Sequence, residues 1–248
     1  MIDYGHISID YEPYPIGVTK PAFQPDFYQE LVRTFPPIEL FKYKESKGDK
    51  YSLSQVNNSK NYHQFVRQTA PWRRFHEFVH SNHFISDVYA MLRSHHIDLG
   101  LPSTDLKSRM HQRATAWKRG VPQPHFPRLK ARFEFSAMPI TGGNILPHTD
   151  STRKSVTMVV PMLDEDEWDE SWGGGTSIVR PKDSTRLFNR ENAYMDFDHV
   201  DNVKTFPFVP NQCLIFVKTY NSWHAVWPMK GTERSTLRKT LTINIDRS

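Results

Sequence analysis

The sequence predicts an α+β protein whose core is a double-stranded β-helix, a jelly-roll or cupin-like barrel, with N-terminal helices packed on one of its sheets. Apolar residues recur at helical spacing within the first 125 residues, and from residue 126 onward short segments alternate as strands do. No helical segment separates these strands, so antiparallel pairing is favoured over a parallel α/β sheet. We expect a single domain over residues 1–248, mainly helical over 1–125 and a jelly roll over 126–248.

The N-terminal part is predicted to alternate helices with irregular segments. Phe27, Leu31 and Phe35 recur at helical spacing just before a pair of prolines, which indicates a short amphipathic helix. The remaining assignments are an extended arm that can hold a short strand over 1–24, a polar loop over 43–62, two helices over 70–98 and a basic irregular segment over 103–127.

The C-terminal part is predicted to consist of short strands. Arg132, Glu134 and Ser136 alternate with apolar residues, which is typical of a strand with two different faces. Further strands are predicted at 155–163, 173–180, 203–209, 212–219, 222–226 and 238–246.

Composition limits the partners and the compartment that we expect. The formal charge of +5 fits a basic surface or an anionic ligand, but no zinc-finger or RNA-recognition signature is present, so a nucleic-acid partner is not expected. Cys213 is the single cysteine, which fits a reducing compartment. No leader-like start and no apolar run of membrane-spanning length occur, so we expect a cytoplasmic protein without a membrane partner.

One short motif carries metal-binding chemistry. His148 and Asp150 lie two residues apart, just after the turn-forming residues 141–144, and strand spacing would place both side chains on one face. His224 offers a second imidazole from a later strand. Two histidines and one carboxylate form the ligand set of a non-haem Fe(II) site with open positions. The alternative is a surface turn in which Asp150 caps nearby amides and His224 packs in a strand.

Residues 128–245 resemble the Fe(II)/2-oxoglutarate-dependent oxygenases, particularly the prolyl-hydroxylase-like group. The resemblance rests on His148-Thr149-Asp150, the glycine-led strand after Trp172, the distal His224 and the Arg238-x-Thr240 element of the last strand. It covers about half of the chain strongly and the first 125 residues only loosely.

The resemblance implies a role for each position. His148, Asp150 and His224 would hold Fe(II), with 2-oxoglutarate and O2 as co-substrates. The family converts 2-oxoglutarate to succinate and CO2 while it oxidises an unactivated C–H bond. Halogenating relatives lack the carboxylate ligand, so the presence of Asp150 favours hydroxylation.

Two arginines could bind the far carboxylate of 2-oxoglutarate, because guanidinium groups fit carboxylates in a bidentate way. Arg238 is favoured, since it shares a strand face with Thr240, whereas Arg234 follows a predicted turn. Arg132 is a further candidate contact for 2-oxoglutarate or substrate, on the strand face that carries Glu134.

The predicted activity is hydroxylation of a small-molecule or conjugated metabolite, anionic if the basic residues 107–119 cover the site. Two alternatives remain open: a protein or peptide side-chain hydroxylase that uses residues 43–62 for recognition, and a non-oxidative, cupin-like metabolite-binding protein. A second acidic cluster at 196–201 is interpreted as a solvated loop, because it lacks the glycine and glutamate of a calcium-binding loop.

Overall fold

Two antiparallel β-sheets form the framework of the fold. The computed structural model describes residues 1–45, 48–99, 106–121 and 128–247. The strands are β1 (Ser8–Asp10), β2 (Ile16–Thr19), β3 (Lys42–Lys44), β4 (Lys50–Ser54), β5 (Leu129–Pro139), β6 (Ile145–His148), β7 (Lys154–Pro161), β8 (Thr176–Pro181), β9 (Val200–Phe206), β10 (Cys213–Val217), β11 (His224–Val226) and β12 (Leu237–Arg247). The α-helices are α1 (Pro25–Arg33), α2 (Ser59–Gln68), α3 (Ala70–Val79), α4 (Asn82–Ser94) and α5 (Leu106–Lys118).

The strand order identifies the barrel. The larger sheet has eight strands in the order β1-β2-β10-β7-β12-β5-β4-β3, and the smaller sheet has four in the order β6-β11-β8-β9. Their ladders are antiparallel. Residues of both sheets line one shared cavity. This arrangement confirms the predicted α+β fold with a double-stranded β-helix core.

Strand β12 shows how the sequence pattern sets the two faces of the larger sheet. It lies between β7 and β5 and pairs with both. The residues of one face, which belong to the core beneath the helices, are Leu241, Ile243 and Ile245. The residues of the other face, which line the cavity, are Arg238, Thr240 and Thr242. The alternation that predicted this strand therefore separates an apolar core face from a polar cavity face.

The N-terminal helices pack on the outer face of the larger sheet, as predicted. Trp72 of α3 is fully buried, and its ring centroid lies 4.5 Å from that of Phe135 in β5. Phe75 of the same helix contacts Phe133 of β5 at 5.1 Å between centroids. Burying a large apolar side chain contributes about 1.5–3 kcal/mol relative to leaving it exposed. This aromatic interface is therefore a main source of cohesion between helices and sheet.

Two segments predicted as irregular extend the larger sheet instead. The loop prediction for 43–62 is wrong over most of its length, because β3 and β4 form a hairpin that pairs with β5, and α2 begins at Ser59. The N-terminal arm contributes β1 and β2 at the opposite edge. Both hairpins are short and carry polar residues, as edge strands do because charged side chains discourage pairing with other chains.

The basic segment predicted as irregular over 103–127 contains helix α5. Of the described side chains of α5, only that of Ala116 is buried, while Met110 and Trp117 are exposed. The described side chains of α5 form no apolar stripe toward the core, and its sequence lacks clear helical periodicity. The remaining residues of that prediction, 103–105 and 122–127, lie outside the described part. Among the described helices, none has both the length and the apolar composition needed to cross a bilayer.

Candidate metal centre

His148, Asp150 and His224 converge where the smaller sheet ends. His148 is the last residue of β6 and pairs in register with His224, the first residue of β11, and their ring centroids lie 4.4 Å apart. Asp150 follows with φ of 68°, a left-handed conformation that aspartate tolerates better than most residues. One ligand atom from each of the three lies within 4.8 Å of the other two. Of the described residues, no other group of histidine, cysteine and acidic side chains is so arranged.

Backbone carbonyls orient both imidazoles. The Nδ1 of His148 donates to the carbonyl of Leu146 at 2.9 Å, and the Nδ1 of His224 donates to that of Ser222 at 2.9 Å. Because the acceptors are carbonyls, each Nδ1 carries the proton and each Nε2 keeps a free lone pair. The two Nε2 atoms lie 3.5 Å and 3.9 Å from the carboxylate of Asp150. Histidines that bind metals are oriented in this way by their second nitrogen.

Two aromatic rings flank the histidines. Tyr194 stacks on His148 at 5.3 Å between centroids, and Phe216 of β10 stacks on His224 at 4.8 Å. These contacts restrict rotation of each imidazole about its side-chain bonds. Burial lowers the pKa of His224 to about 3, with the neighbouring His148 acting in the same direction. His224 is therefore neutral at physiological pH, which is the protonation state that binds a metal.

Both oxygens of Asp150 are held. Oδ1 accepts a hydrogen bond from Lys154 at 2.7 Å, and Oδ2 accepts one from the hydroxyl of Thr157 at 2.9 Å. Burial by itself would raise the pKa of Asp150, but the charge of Lys154 and the adjacent histidines outweigh it and hold that pKa well below its usual range. The site thus offers a fixed carboxylate and two oriented imidazoles, a donor set that suits a divalent transition metal such as Fe(II).

The three residues line a cavity of about 610 Å³ that also contains Arg238 and Thr240. Arg238 is only 3% exposed. Its Nε donates to the carbonyl of Gly174 at 2.6 Å, and its guanidinium lies 4.5 Å from the ring centroid of Phe208. Thr240 shares a hydrogen bond of 2.7 Å with Ser136. The cavity has the size of a small-molecule site.

Arg238 is a buried cation without an anionic partner among the described residues. Burial lowers its pKa to about 9, which still leaves the guanidinium charged at neutral pH. None of the ion pairs formed between described residues involves Arg238. A buried charge without a counterion is costly, so a carboxylate ligand in the cavity would relieve that cost.

The structure separates the predicted site residues into two groups. Five of them share the cavity: His148, Asp150, His224, Arg238 and Thr240. Arg132 does not line it, because its Nε pairs with Asp246 at 2.6 Å beside a different cavity. This placement does not support the expectation that Arg132 contacts 2-oxoglutarate. Arg234, the less favoured candidate for binding the far carboxylate of 2-oxoglutarate, is exposed. The acidic segment at 196–201 contributes no ligand to a metal-binding cluster of described residues.

Sequence reasoning missed several residues that support the site. Thr157 could have been found, because it points to the cavity by strand alternation and lies in a β-branched strand close to Asp150. Phe216 could have been found by the same alternation in β10. Tyr194 carries no such signal, since it belongs to an irregular segment between β8 and β9.

The sequence matches no protein-family model, and no curated protein matches it. By structure the chain is similar to a Pseudomonas putida prolyl-4-hydroxylase, with a TM-score of 0.47 and 12% identity over 94% of this chain and 92% of that chain. It is also similar to a prolyl hydroxylase from Trichoplax adhaerens in complex with a hypoxia inducible factor peptide fragment, with a TM-score of 0.45 and 9% identity over 94% of this chain and 83% of that chain.

A third similar structure is the non-heme alpha ketoglutarate dependent epimerase SnoN from nogalamycin biosynthesis. Its TM-score is 0.49, with 11% identity over 94% of this chain and 76% of that chain. The fold assignment itself rests on the strand order and register of this chain.

Proposed function

We propose that the chain is an Fe(II)- and 2-oxoglutarate-dependent dioxygenase. It hydroxylates an unactivated C–H bond of a small-molecule or conjugated metabolite and converts 2-oxoglutarate to succinate and CO2. One observation carries the proposal: a single cavity contains two oriented histidines with a carboxylate and, apart from them, a buried arginine that lacks an acidic partner among the described residues.

His148, Asp150 and His224 are the residues that would hold Fe(II). When bound, the metal with 2-oxoglutarate and O2 supplies the oxidising power for the C–H bond, which no protein side chain can supply. The chain contributes orientation. Carbonyl acceptors fix the two imidazoles, while Lys154 and Thr157 fix the carboxylate of Asp150, so the donors are in place before the metal arrives.

Arg238 is the residue that would bind the far carboxylate of 2-oxoglutarate. Its Nε donates a hydrogen bond to the carbonyl of Gly174, and the ring of Phe208 packs against one face of the guanidinium. These two contacts fix the orientation of the remaining N–H groups. A planar guanidinium recognises a carboxylate with two parallel hydrogen bonds. Thr240 lines the same cavity and offers a hydroxyl beside it.

Part of the cavity wall is apolar. Val159, Phe216 and Val226 line the cavity with apolar surface from both sheets. Apolar walls lower the local dielectric and strengthen the interaction of Arg238 with a bound carboxylate. They also limit the access of water to a reactive centre.

Anaerobic addition of Fe(II) and 2-oxoglutarate tests the proposal. We expect a visible charge-transfer band in the wild-type protein and its loss in His148→Ala, because one of three ligands is removed. The matched control is His199→Ala, which removes an exposed histidine away from the cavity and should leave the band unchanged. A wild-type protein without a band, or a band that survives in His148→Ala, contradicts the metal assignment.

Oxygen uptake coupled to succinate release separates this proposal from non-oxidative metabolite binding. We expect both in the presence of Fe(II) and 2-oxoglutarate, and neither in His148→Ala. If the band forms but no succinate is produced with any metabolite pool or peptide, the chain binds these groups without oxidising them.

A further inference from the structure

A second cavity of about 680 Å³ lies at the ends of β5 and β12. Its walls share no residue with the cavity of the metal centre. We call it the cationic cavity, because Lys130, Arg132, Arg153 and Arg247 line it and Asp246 is the single acidic residue in its wall. Four permanent cations beside one carboxylate are a marked excess in a chain whose formal charge is only +5.

Some of these cations have no acidic partner among the described residues. Arg132 is paired with Asp246 at 2.6 Å, and the Nε of Arg247 donates to the hydroxyl of Ser155 at 2.9 Å. Lys130 and Arg153 are exposed, and neither makes a side-chain hydrogen bond or ion pair with another described residue. Two cations on one wall repel each other, so an anion held between them would be favoured.

The N-terminus of α4 adds a third source of positive potential. Ser81 caps this helix by accepting a hydrogen bond from the backbone N–H of Phe84 at 3.2 Å, and both Ser81 and Ile85 line the cationic cavity. A helix N-terminus carries a partial positive charge that favours anions, phosphate above all. The guanidinium groups favour the same ligand, because their planar donors match phosphate oxygens.

Strand register connects one wall of the cationic cavity to the metal centre, while Val79 and Ile85 in another wall belong to the helices on the outer face of the larger sheet. Thr157, which holds Asp150, lies opposite Asn244 of β12, which in turn lies opposite Arg132 of β5. The next residues on the same strand face are Asp246 and Lys130, paired with each other and about 7 Å further along the strands. The cationic cavity therefore begins in the row of side chains that supports the metal ligand.

We propose that the cationic cavity binds a phosphate group of the substrate, while the carbon to be oxidised lies in the cavity of the metal centre. That the bound molecule is a substrate rests on the proposed function, whereas anion binding by the cationic cavity does not. The volume of the cationic cavity fits a small molecule, which favours a phosphorylated metabolite. In this assignment Arg132, as the partner of Asp246, helps to shape a substrate site and is not a contact of 2-oxoglutarate.

Calorimetric titration of the metal-free protein with pyrophosphate tests anion binding without any dependence on iron. We expect Lys130→Gln/Arg153→Gln to raise the Kd for pyrophosphate about ten-fold, since each exposed cation beside a bound anion contributes a few-fold. The control Arg180→Gln/Arg234→Gln removes two exposed positive charges elsewhere and should change the Kd by less than about two-fold. Absence of binding to the wild type, or equal weakening in both double variants, overturns the proposal.

A second measurement tests the connection to the metal centre. Pyrophosphate added anaerobically to the protein loaded with Fe(II) and 2-oxoglutarate should shift the visible band, because a multiply charged anion bound near the metal centre alters the electrostatic field there. The same addition should not shift the band of Lys130→Gln/Arg153→Gln. If the wild type binds pyrophosphate and its band does not move, the cationic cavity is not part of the substrate site. A protein that binds pyrophosphate but shows no band at all instead contradicts the proposed function.

Discussion

Arg238 is the residue on which the co-substrate assignment depends. It is buried, charged and without an acidic partner among the described residues, and it shares a cavity with the three metal-ligand candidates. Its neighbour in the sequence pattern, Arg234, is exposed. The pair therefore offers a test in which the same chemical change is made inside and outside the cavity.

We expect Arg238→Gln to raise the Kd of 2-oxoglutarate roughly a hundred-fold, since a bidentate charged hydrogen bond in a buried site contributes on the order of 2–4 kcal/mol. Arg238→Lys should lie between this variant and the wild type, because it keeps the charge and loses the planar donors. The measurement is anaerobic titration of the Fe(II)-loaded protein with 2-oxoglutarate.

Arg234→Gln is the control and should leave the Kd of 2-oxoglutarate within about two-fold of the wild type. Thermal melting of each variant shows whether the buried substitution has unfolded the protein. A folded Arg238→Gln protein with wild-type affinity for 2-oxoglutarate would rule out the clamp.

Strand alternation explains which site residues could be predicted from the sequence. Arg238 and Thr240 share one face of β12, as their spacing of two predicts. His148 and Asp150 have the same spacing, but Asp150 lies beyond the end of β6 with φ of 68°, so a turn and not strand alternation brings its carboxylate to His148. Arg132 obeyed the same rule, but alternation does not reveal how far along the barrel a side chain lies. Its partner Asp246 comes from the paired strand β12, and that register is a tertiary property.

The glycine-rich turn that leads into β8 contacts Arg238, the arginine proposed to bind 2-oxoglutarate. Gly174 has φ of 77°, and its carbonyl accepts the hydrogen bond of Arg238. A Cβ at Gly174 would lie 2.7 Å from Trp168 and 3.3 Å from Arg238. Gly173 has φ of 79°, but a Cβ there would meet nothing within 4 Å. The two neighbours thus share the backbone strain of a left-handed residue and differ in side-chain crowding.

We expect Gly173→Ala to lower the free energy of unfolding by about 1–3 kcal/mol through backbone strain alone, because φ of 79° with ψ of −126° is a conformation that suits only glycine. Gly174→Ala should cost more, because the added methyl group displaces Trp168, and it should also weaken 2-oxoglutarate binding by moving Arg238. Urea unfolding and anaerobic titration measure the two effects. Equal affinities for 2-oxoglutarate in the two variants would mean that this turn does not position the clamp.

Helices and strands with a strong apolar pattern could be predicted from the sequence, whereas the strands at the sheet edges could not. The helix over 27–35 and the strand over 238–246 carry clear periods, because each buries one face. The β3–β4 hairpin is rich in lysine and its sequence resembles that of a loop, yet Leu53 is fully buried and the hairpin pairs with β5. Whether so short an edge strand forms depends on the strand with which it pairs, and the local sequence does not specify that partner.

The stability of the whole molecule should depend on pH through a partly buried histidine in the layer of helices. His76 of α3 packs against Tyr62 and Phe133, and its Nε2 is buried without a hydrogen-bond partner among the described residues. Burial lowers its pKa from 6.5 to about 4, and His80 and His63 act in the same direction. The unfolded chain therefore binds a proton at His76 more readily than the folded protein does.

The sign of the effect follows from linkage. The contribution of neutral His76 to stability is complete above about pH 6.5 and is lost as the pH falls toward 4. We expect His76→Phe, which keeps an aromatic ring but cannot titrate, to lose less stability than the wild type between about pH 7.5 and 5. Urea unfolding of the metal-free proteins at both pH values measures the difference.

The control for this effect is His199→Ala, in which an exposed histidine is removed. Its loss of stability on acidification should match that of the wild type. An equal loss in His76→Phe and the wild type would show that the helical layer accepts the charged imidazole without cost.

The central position of β12 bears on how the protein is synthesised. β5 and β7 form no ladder with each other, because each pairs with β12, which follows every other described strand in the chain. While the chain emerges from the ribosome, both strands therefore keep an open edge until Leu237–Arg247 is available. Arg238 belongs to the same strand, so the arginine proposed to bind 2-oxoglutarate is positioned only when the larger sheet is completed.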